Sequence, residues 1–88
     1  MAFKRAWTIT IEFTEDEDNT RADALLKTGM LEFRASGRAR RSPTDPEVPL
    51  VGEEIAAARA MHDLGGVLLE RAAYVIESWE RRPVHLDA

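Results

Sequence analysis

An unbroken alternation of large apolar and polar side chains at residues 7–13 constrains the fold more than any other feature of the chain. The apolar positions are Trp7, Ile9, Ile11 and Phe13, and the polar ones are Thr8, Thr10 and Glu12. Because side chains of a β-strand point alternately to its two faces, this period of two predicts a strand with one buried face. We expect that strand at about residues 5–14.

Two further alternating segments predict a three-stranded antiparallel meander. The second strand is expected at 20–28 and the third at 31–41. An acidic loop at 14–19 would join the first two strands. A turn at Gly29 would join the last two, since glycine accepts the positive φ of tight hairpins.

The strand registers can be predicted from the apolar positions. A two-residue turn at Gly29-Met30 places Leu26 opposite Phe33, and apolar residues then meet along the whole hairpin. A six-residue acidic loop places Ile11 opposite Ala22 in the first hairpin. Both hairpins then bury the same face, which carries a strip of small residues: Ala22, Ala24, Ala35, Gly37 and Ala39.

The second half of the chain predicts one long helix. Three prolines mark residues 42–52 as a crossover loop, and residues 53–82 contain no proline and are rich in alanine and leucine. We expect a helix at about 53–82, with Gly65 allowing close approach to the sheet, and a tail at 83–88. A helix of about 30 residues is about 45 Å long, against about 27 Å for strands of about eight residues. It should overhang the sheet, leaving Trp79 to be covered by the tail or by a second copy.

Together these elements predict a single α+β domain over residues 1–88, with a two-layer β-β-β-α fold in which the helix packs on the meander. The 88 residues include no cysteine, so neither a disulfide framework nor a Cys-type zinc site can support the fold. A chain of this length has room for one small core.

Several segments resemble a family of small actinobacterial proteins of unknown function with a double-stranded-RNA-binding-domain-like fold. They are 7–9 (WTI), 26–29 (LKTG), 37–41 (GRARR), 48–60 (VPLVGEEIAAARA) and 83–86 (PVHL). The resemblance covers nearly the whole chain and implies the same β-β-β-α arrangement. It implies no particular activity, because none is established for the family.

The RNA-binding mode of that fold is not expected here. It uses a helix before the first strand, the first hairpin loop and a basic start of the last helix to grip phosphates. In this chain six residues precede Trp7, the first loop holds four acids at 15–18, and the last helix begins with Glu53 and Glu54. These carboxylates would repel phosphate.

A group of arginines gives the most specific candidate contact surface. Arg21, Arg34, Arg38, Arg40 and Arg41 are candidates for contact with nucleic acid or with an acidic protein partner. The simpler interpretation is that they are solvated charges that protect an exposed strand edge. The formal net charge of -4 argues against a protein whose main role is coating nucleic acid.

No catalytic residue, cofactor site or metal site is predicted. His62 is expected to be a partly buried structural histidine, and no nucleophile motif or glycine-rich phosphate loop is present. A domain this small offers little concavity unless dimerisation builds a pocket, so we expect no enzyme. The absence of a long apolar run or signal-peptide pattern predicts a cytoplasmic protein with no membrane contact.

The leading functional interpretation is a self-associating interaction module, such as a homodimer formed by the helix or by a free sheet edge. Its candidate interface residues on the helix are Leu64, Leu68, Val75 and Trp79. The sequence does not identify a protein partner. Nucleic-acid binding through the arginine-bearing face is the alternative.

Overall fold

The computed structural model describes residues 2–42 and 48–87, apart from the side chain of Pro49. Three strands, β1 (Thr8–Asp16), β2 (Asn19–Lys27) and β3 (Glu32–Arg40), are followed by one helix, α1 (Pro49–Glu80). The strands form an antiparallel sheet in the order β1-β2-β3. This confirms the predicted β-β-β-α fold. Residues 43–47 of the expected crossover loop lie outside the described residues, and residues 49–52 belong to α1 instead.

The second hairpin has the predicted register, with Leu26 opposite Phe33. Its turn is held by Thr28, whose backbone N–H donates to the Leu31 carbonyl at 2.9 Å and whose hydroxyl accepts from the Leu31 N–H at 3.1 Å. No described glycine has a positive φ. The prediction that Gly29 supplies a positive φ to this turn was therefore wrong. Thr28 thus closes this turn with one backbone bond and one side-chain bond.

The register predicted for the first hairpin was wrong by two residues. Ile11 lies opposite Ala24, not Ala22, and β1 extends to Asp16. The strands reverse over Glu17 and Asp18 alone, with Glu17 at φ 52°, so the expected six-residue loop is a two-residue turn. A slip of two leaves every side chain on its predicted face.

The helix begins four residues before its predicted start. Pro49 lies in its first turn, where a missing N–H has no intrahelical bond to lose, so Glu53 and Glu54 lie beyond that turn. The helix ends at Glu80. Arg81 then takes a left-handed conformation, and its N–H donates to the Glu77 carbonyl at 2.6 Å.

The core lies between α1 and the strip of small residues on β2 and β3. Ala22, Ala24 and Ala39 pack with Ala56 and Ala60 of the helix. A Cβ atom on Gly37 would collide with the helix backbone at Ala56 and Ala60 and lie 2.8 Å from the Arg59 carbonyl carbon. Gly37 therefore sets the distance between the two layers.

Gly65 was the wrong glycine for this role. A Cβ atom on Gly65 or Gly66 would meet nothing within 4 Å. The residues of closest approach on the helix are Ala60 and Ala56, five and nine residues earlier.

Candidate interaction surfaces

The inner face of β1 is an apolar surface that the helix leaves largely uncovered, because α1 packs mainly on β3 and β2. Ile11 is half-buried against the alanine core, but Trp7 is 58% exposed, and Ile9 and Phe13 are exposed as well. The face of β1 that was predicted to be buried is thus half-buried at Ile11 and exposed elsewhere.

The outer edge of β1 carries unpaired backbone groups. The hairpin turn at Glu17 and Asp18 makes Asp16 and Asn19 the closing pair, and in antiparallel strands hydrogen-bonded pairs alternate with non-bonded ones. Counting back from that turn, the N–H and C=O groups of Thr10 point toward β2. Those of Ile9, Ile11 and Phe13 point away from the sheet.

The opposite edge, on β3, is partly capped by the helix. The Arg59 guanidinium donates to the Arg38 carbonyl at 2.7 Å, so one outward-pointing acceptor of this edge is already bonded within the chain. The cationic side chains of Arg34, Arg38 and Arg40 also line β3.

The end of α1 forms a second apolar surface. Leu64 is only 3% exposed and belongs to the chain's own core, which makes it unavailable as the interface residue we expected. Leu68 is half-buried, Val75 is exposed, and Trp79 is 85% exposed.

The C-terminal tail does not cover Trp79. Its Val84 N–H donates to the Glu77 carboxylate at 2.9 Å, and its His85 ring lies 2.8 Å from the Asp87 carboxylate. The tail was one of the two covers expected for Trp79, and it leaves this side chain exposed.

The candidate arginines do not form one open cationic patch. Arg21 pairs with Asp23 at 2.9 Å, and Arg34 lies 3.8 Å from Glu32. Arg41 forms an ion pair of 2.6 Å with Asp18 in the first turn. Of these five arginines, only Arg38 and Arg40 lie on the open face of the sheet, the face away from α1, with no acid bonded to them within the described part of the chain.

The open face is also less positive than its sequence indicated. Because β1 extends to Asp16, this residue joins Glu12, Asp23 and Glu32 on that face. Five cations, Arg21, Lys27, Arg34, Arg38 and Arg40, then meet four acids. The excess is one positive charge, against the two that the sequence predicts when Asp16 is counted in the loop and not in the strand.

The described ranges offer no cluster of metal-ligating side chains. His62 is exposed, contrary to expectation, and residues 2–42 and 48–87 hold no group of three His, Asp or Glu side chains placed to bind a metal ion. A shallow depression on the open face lies beside Glu12, Asp23 and Arg34. Within the same residues, no helix has the length and apolar character to cross a membrane.

The arrangement of a three-stranded meander under one long C-terminal helix defines a class of small α+β proteins. The sequence profile of the Rv2632c-like family matches residues 5–85, and the chain belongs to this family. The uncharacterized protein Mb1767 of Mycobacterium bovis is 39% identical over 80 residues, covering 91% of this chain and 85% of that protein.

A second relative has a known crystal structure. The uncharacterized protein Rv2632c of Mycobacterium tuberculosis is 34% identical over 76 residues, covering 86% of this chain and 82% of that protein. The crystal structure of Rv2632c superposes with a TM-score of 0.83 at 30% sequence identity, covering 93% of this chain and 98% of the solved one. The family and the fold are therefore shown, and the resemblance to small actinobacterial proteins is confirmed.

Proposed function

We propose that the protein is a non-enzymatic interaction module that self-associates through its uncovered apolar surfaces. The supporting observation is how little of its apolar surface the chain buries by itself. Its buried hydrophobic residues in the described ranges are five alanines and two leucines. Meanwhile both tryptophans and two of the three phenylalanines are exposed.

The accessible surface of the chain supports this proposal. A folded monomer of 9.9 kDa is expected to expose about 5,200 Å², whereas this chain exposes 7445 Å². The excess is about 2,200 Å² for each chain, or about 4,500 Å² for two, and obligate dimers bury about 2,000–5,000 Å² in total for both partners.

The shape of the chain supports the same proposal. Its radius of gyration is 16.8 Å, with extents of 52 × 32 × 18 Å. A compact domain of this length is expected near 12 Å, and one of twice this length near 16 Å. The radius of gyration of one chain is thus slightly larger than that of a compact domain with twice as many residues. Such an extended chain has surfaces that a second chain can fill.

Nucleic-acid binding is the weaker candidate. The open face has one excess positive charge, and two of its five cations have acids nearby in the same strand. Nucleic-acid binding would show as an affinity for labelled duplex RNA, duplex DNA or single strands that falls steeply with salt. The triple substitution of Arg34, Arg38 and Arg40 to Glu would abolish it.

Light scattering and thermal unfolding over a range of protein concentrations test the proposed self-association. We expect the mass of two chains at both low and high salt, and a melting temperature that rises with protein concentration because association stabilises the folded state by mass action. A single-chain mass at every concentration, with a constant melting temperature, would contradict the proposal. Salt-dependent oligonucleotide binding by that monomer would then favour the alternative.

A further inference from the structure

The free edge of β1 combines features that fit a second copy of the same strand. Resting on the proposed self-association, we infer that β1 pairs antiparallel with β1 of a second copy about a two-fold axis at Thr10. The occupant of this edge is thus the chain itself. The two sheets join into one of six strands, in the order β3-β2-β1-β1-β2-β3.

The backbone provides the bonding groups for this pairing. Ile9, Ile11 and Phe13 direct their N–H and C=O groups away from β2, along a strand of nine residues. Proteins protect such edges with proline, lysine, bulges or inward-pointing charges. The residues Thr8–Phe13 contain none of these, and their inner face is apolar. The edge of β1 is therefore open to pairing.

Charges at the two ends of β1 are complementary in the antiparallel direction. Lys4 and Arg5 precede the strand and are exposed, whereas Glu15, Asp16 and Glu17 lie at its other end and are also exposed. Antiparallel self-pairing brings the basic end of each copy beside the acidic end of the other, twice in each dimer. Parallel pairing would instead place like charges side by side.

The alternation of side chains and bonding groups selects the register. With Thr10 opposite Thr10, Arg5 lies opposite Glu15 of the second copy, Trp7 opposite Phe13, and Ile9 opposite Ile11. Thr–Thr, aromatic and opposite-charge pairs are all favourable across strands. Every pair that exchanges backbone bonds then joins two outward-pointing residues, as the ladder requires.

The neighbouring registers are worse, because each of them separates Arg5 from Glu15 of the second copy. Centring the pair on Ile11 places Trp7 opposite Glu15 of the second copy. Centring it on Glu12 places Glu12 opposite Glu12, and like charges directly opposite each other are destabilising. Centring it between two residues would pair outward-pointing groups with groups already bonded to β2.

The two-fold axis is perpendicular to the joined sheet, so both helices lie on the same face of it. The apolar inner side chains of the two β1 strands then adjoin one another between the helices. This contact uses the uncovered part of the inner face, the surface that α1 leaves open in the single chain.

Because the chain has no cysteine, a single introduced thiol reports the register. Thr10 is exposed and its bonding groups point toward β2, so it would form a non-hydrogen-bonded pair with its copy at a Cα separation of about 4.5 Å. Disulfides accept Cα separations of about 4.4–6.8 Å. Thr14, exposed on the same strand face, provides the matched control, since it would lie opposite Ala6.

We expect the Thr10→Cys protein to form a disulfide-linked dimer under mild oxidation at least ten times faster than the Thr14→Cys protein. If wild type is a dimer but the two variants cross-link equally slowly, the inferred pairing is wrong and self-association stands. If wild type is a monomer, both proposals fail. The scattering measurement on the unmodified chain separates these two results.

A charge exchange tests the pairing without a covalent bond. Arg5→Glu and Glu15→Arg should each raise the dimer dissociation constant about tenfold, and the double variant should return it to within about threefold of the wild-type value. Trp79→Asp, at the other apolar surface, should leave the constant within about threefold. Dissociation by Trp79→Asp with no effect of either charge change would place the interface on α1 and overturn the inference.

Discussion

The two edges of the sheet differ in how much the helix contacts and covers them. On β3, the helix backbone lies directly on Gly37, and Arg59 donates a hydrogen bond to the Arg38 carbonyl. On β1, the helix makes few contacts and the inner side chains Trp7, Ile9 and Phe13 remain exposed. The edge of β3 is partly capped by the chain's own residues, whereas the edge of β1 is open. The position of the helix therefore determines which apolar side chains are covered within the chain and which stay exposed.

Placing a methyl group at Gly37 should have the largest effect on this comparison. Gly37→Ala would drive a Cβ atom into the backbone of α1, and because a helix backbone cannot yield as a side chain can, we expect a loss of about 3 kcal/mol or more in unfolding free energy. Urea unfolding measures it. Gly29→Ala, where nothing lies within 4 Å, is the control and should change stability by less than about 1 kcal/mol.

Removing the cap on β3 should make the two edges more alike. Arg59→Met keeps much of the side-chain volume but loses the bond to Arg38, and we expect a loss of about 1 kcal/mol in unfolding free energy. We also expect larger assemblies at high protein concentration, because a second open edge allows further pairing. Light scattering detects them. Arg71→Met, an exposed arginine on the same helix, should give neither effect.

The smallest effect is a stabilisation at the helix glycines. Gly65 and Gly66 lie inside α1 with open space around them, so Gly66→Ala should raise the unfolding free energy by about 0.5–1 kcal/mol by favouring the helical backbone. Urea unfolding should show the same direction for Gly65→Ala. A loss of stability in either variant would mean that α1 needs a glycine there, and that the close contact is not confined to Gly37.

The fold could be predicted from the sequence because its periodicities are unambiguous. The period-two alternation of Trp7 to Phe13 and the proline-free segment before Pro83 require strand and helix respectively, and the small residues on β2 and β3 indicate where the helix packs. The register of the second hairpin followed from matching apolar positions such as Leu26 and Phe33.

Other features depend on information that periodicity does not carry. A two-residue slip in the first hairpin leaves every side chain on the same face, so alternation could not distinguish the two registers. Nor did any glycine mark the positive φ at Glu17. The lateral position of the helix decides whether Ile9 and Phe13 are covered, and that position is set by the contact at Gly37, a residue of another element. For this reason the sequence indicated the arginines as a candidate surface but did not indicate that the inner face of β1 is exposed.

The bond between Asp18 and Arg41 bears on the order in which the chain folds. It joins the first turn to the end of β3 by both a backbone bond of 2.8 Å and the side-chain ion pair, and so encloses all of β2 and β3. Each hairpin needs only a short loop to close, which costs little entropy, whereas this bond requires the second hairpin to be complete. We expect the meander to form from local contacts first, with the Asp18–Arg41 bond fixing its three strands before the helix, which follows in sequence, docks upon them.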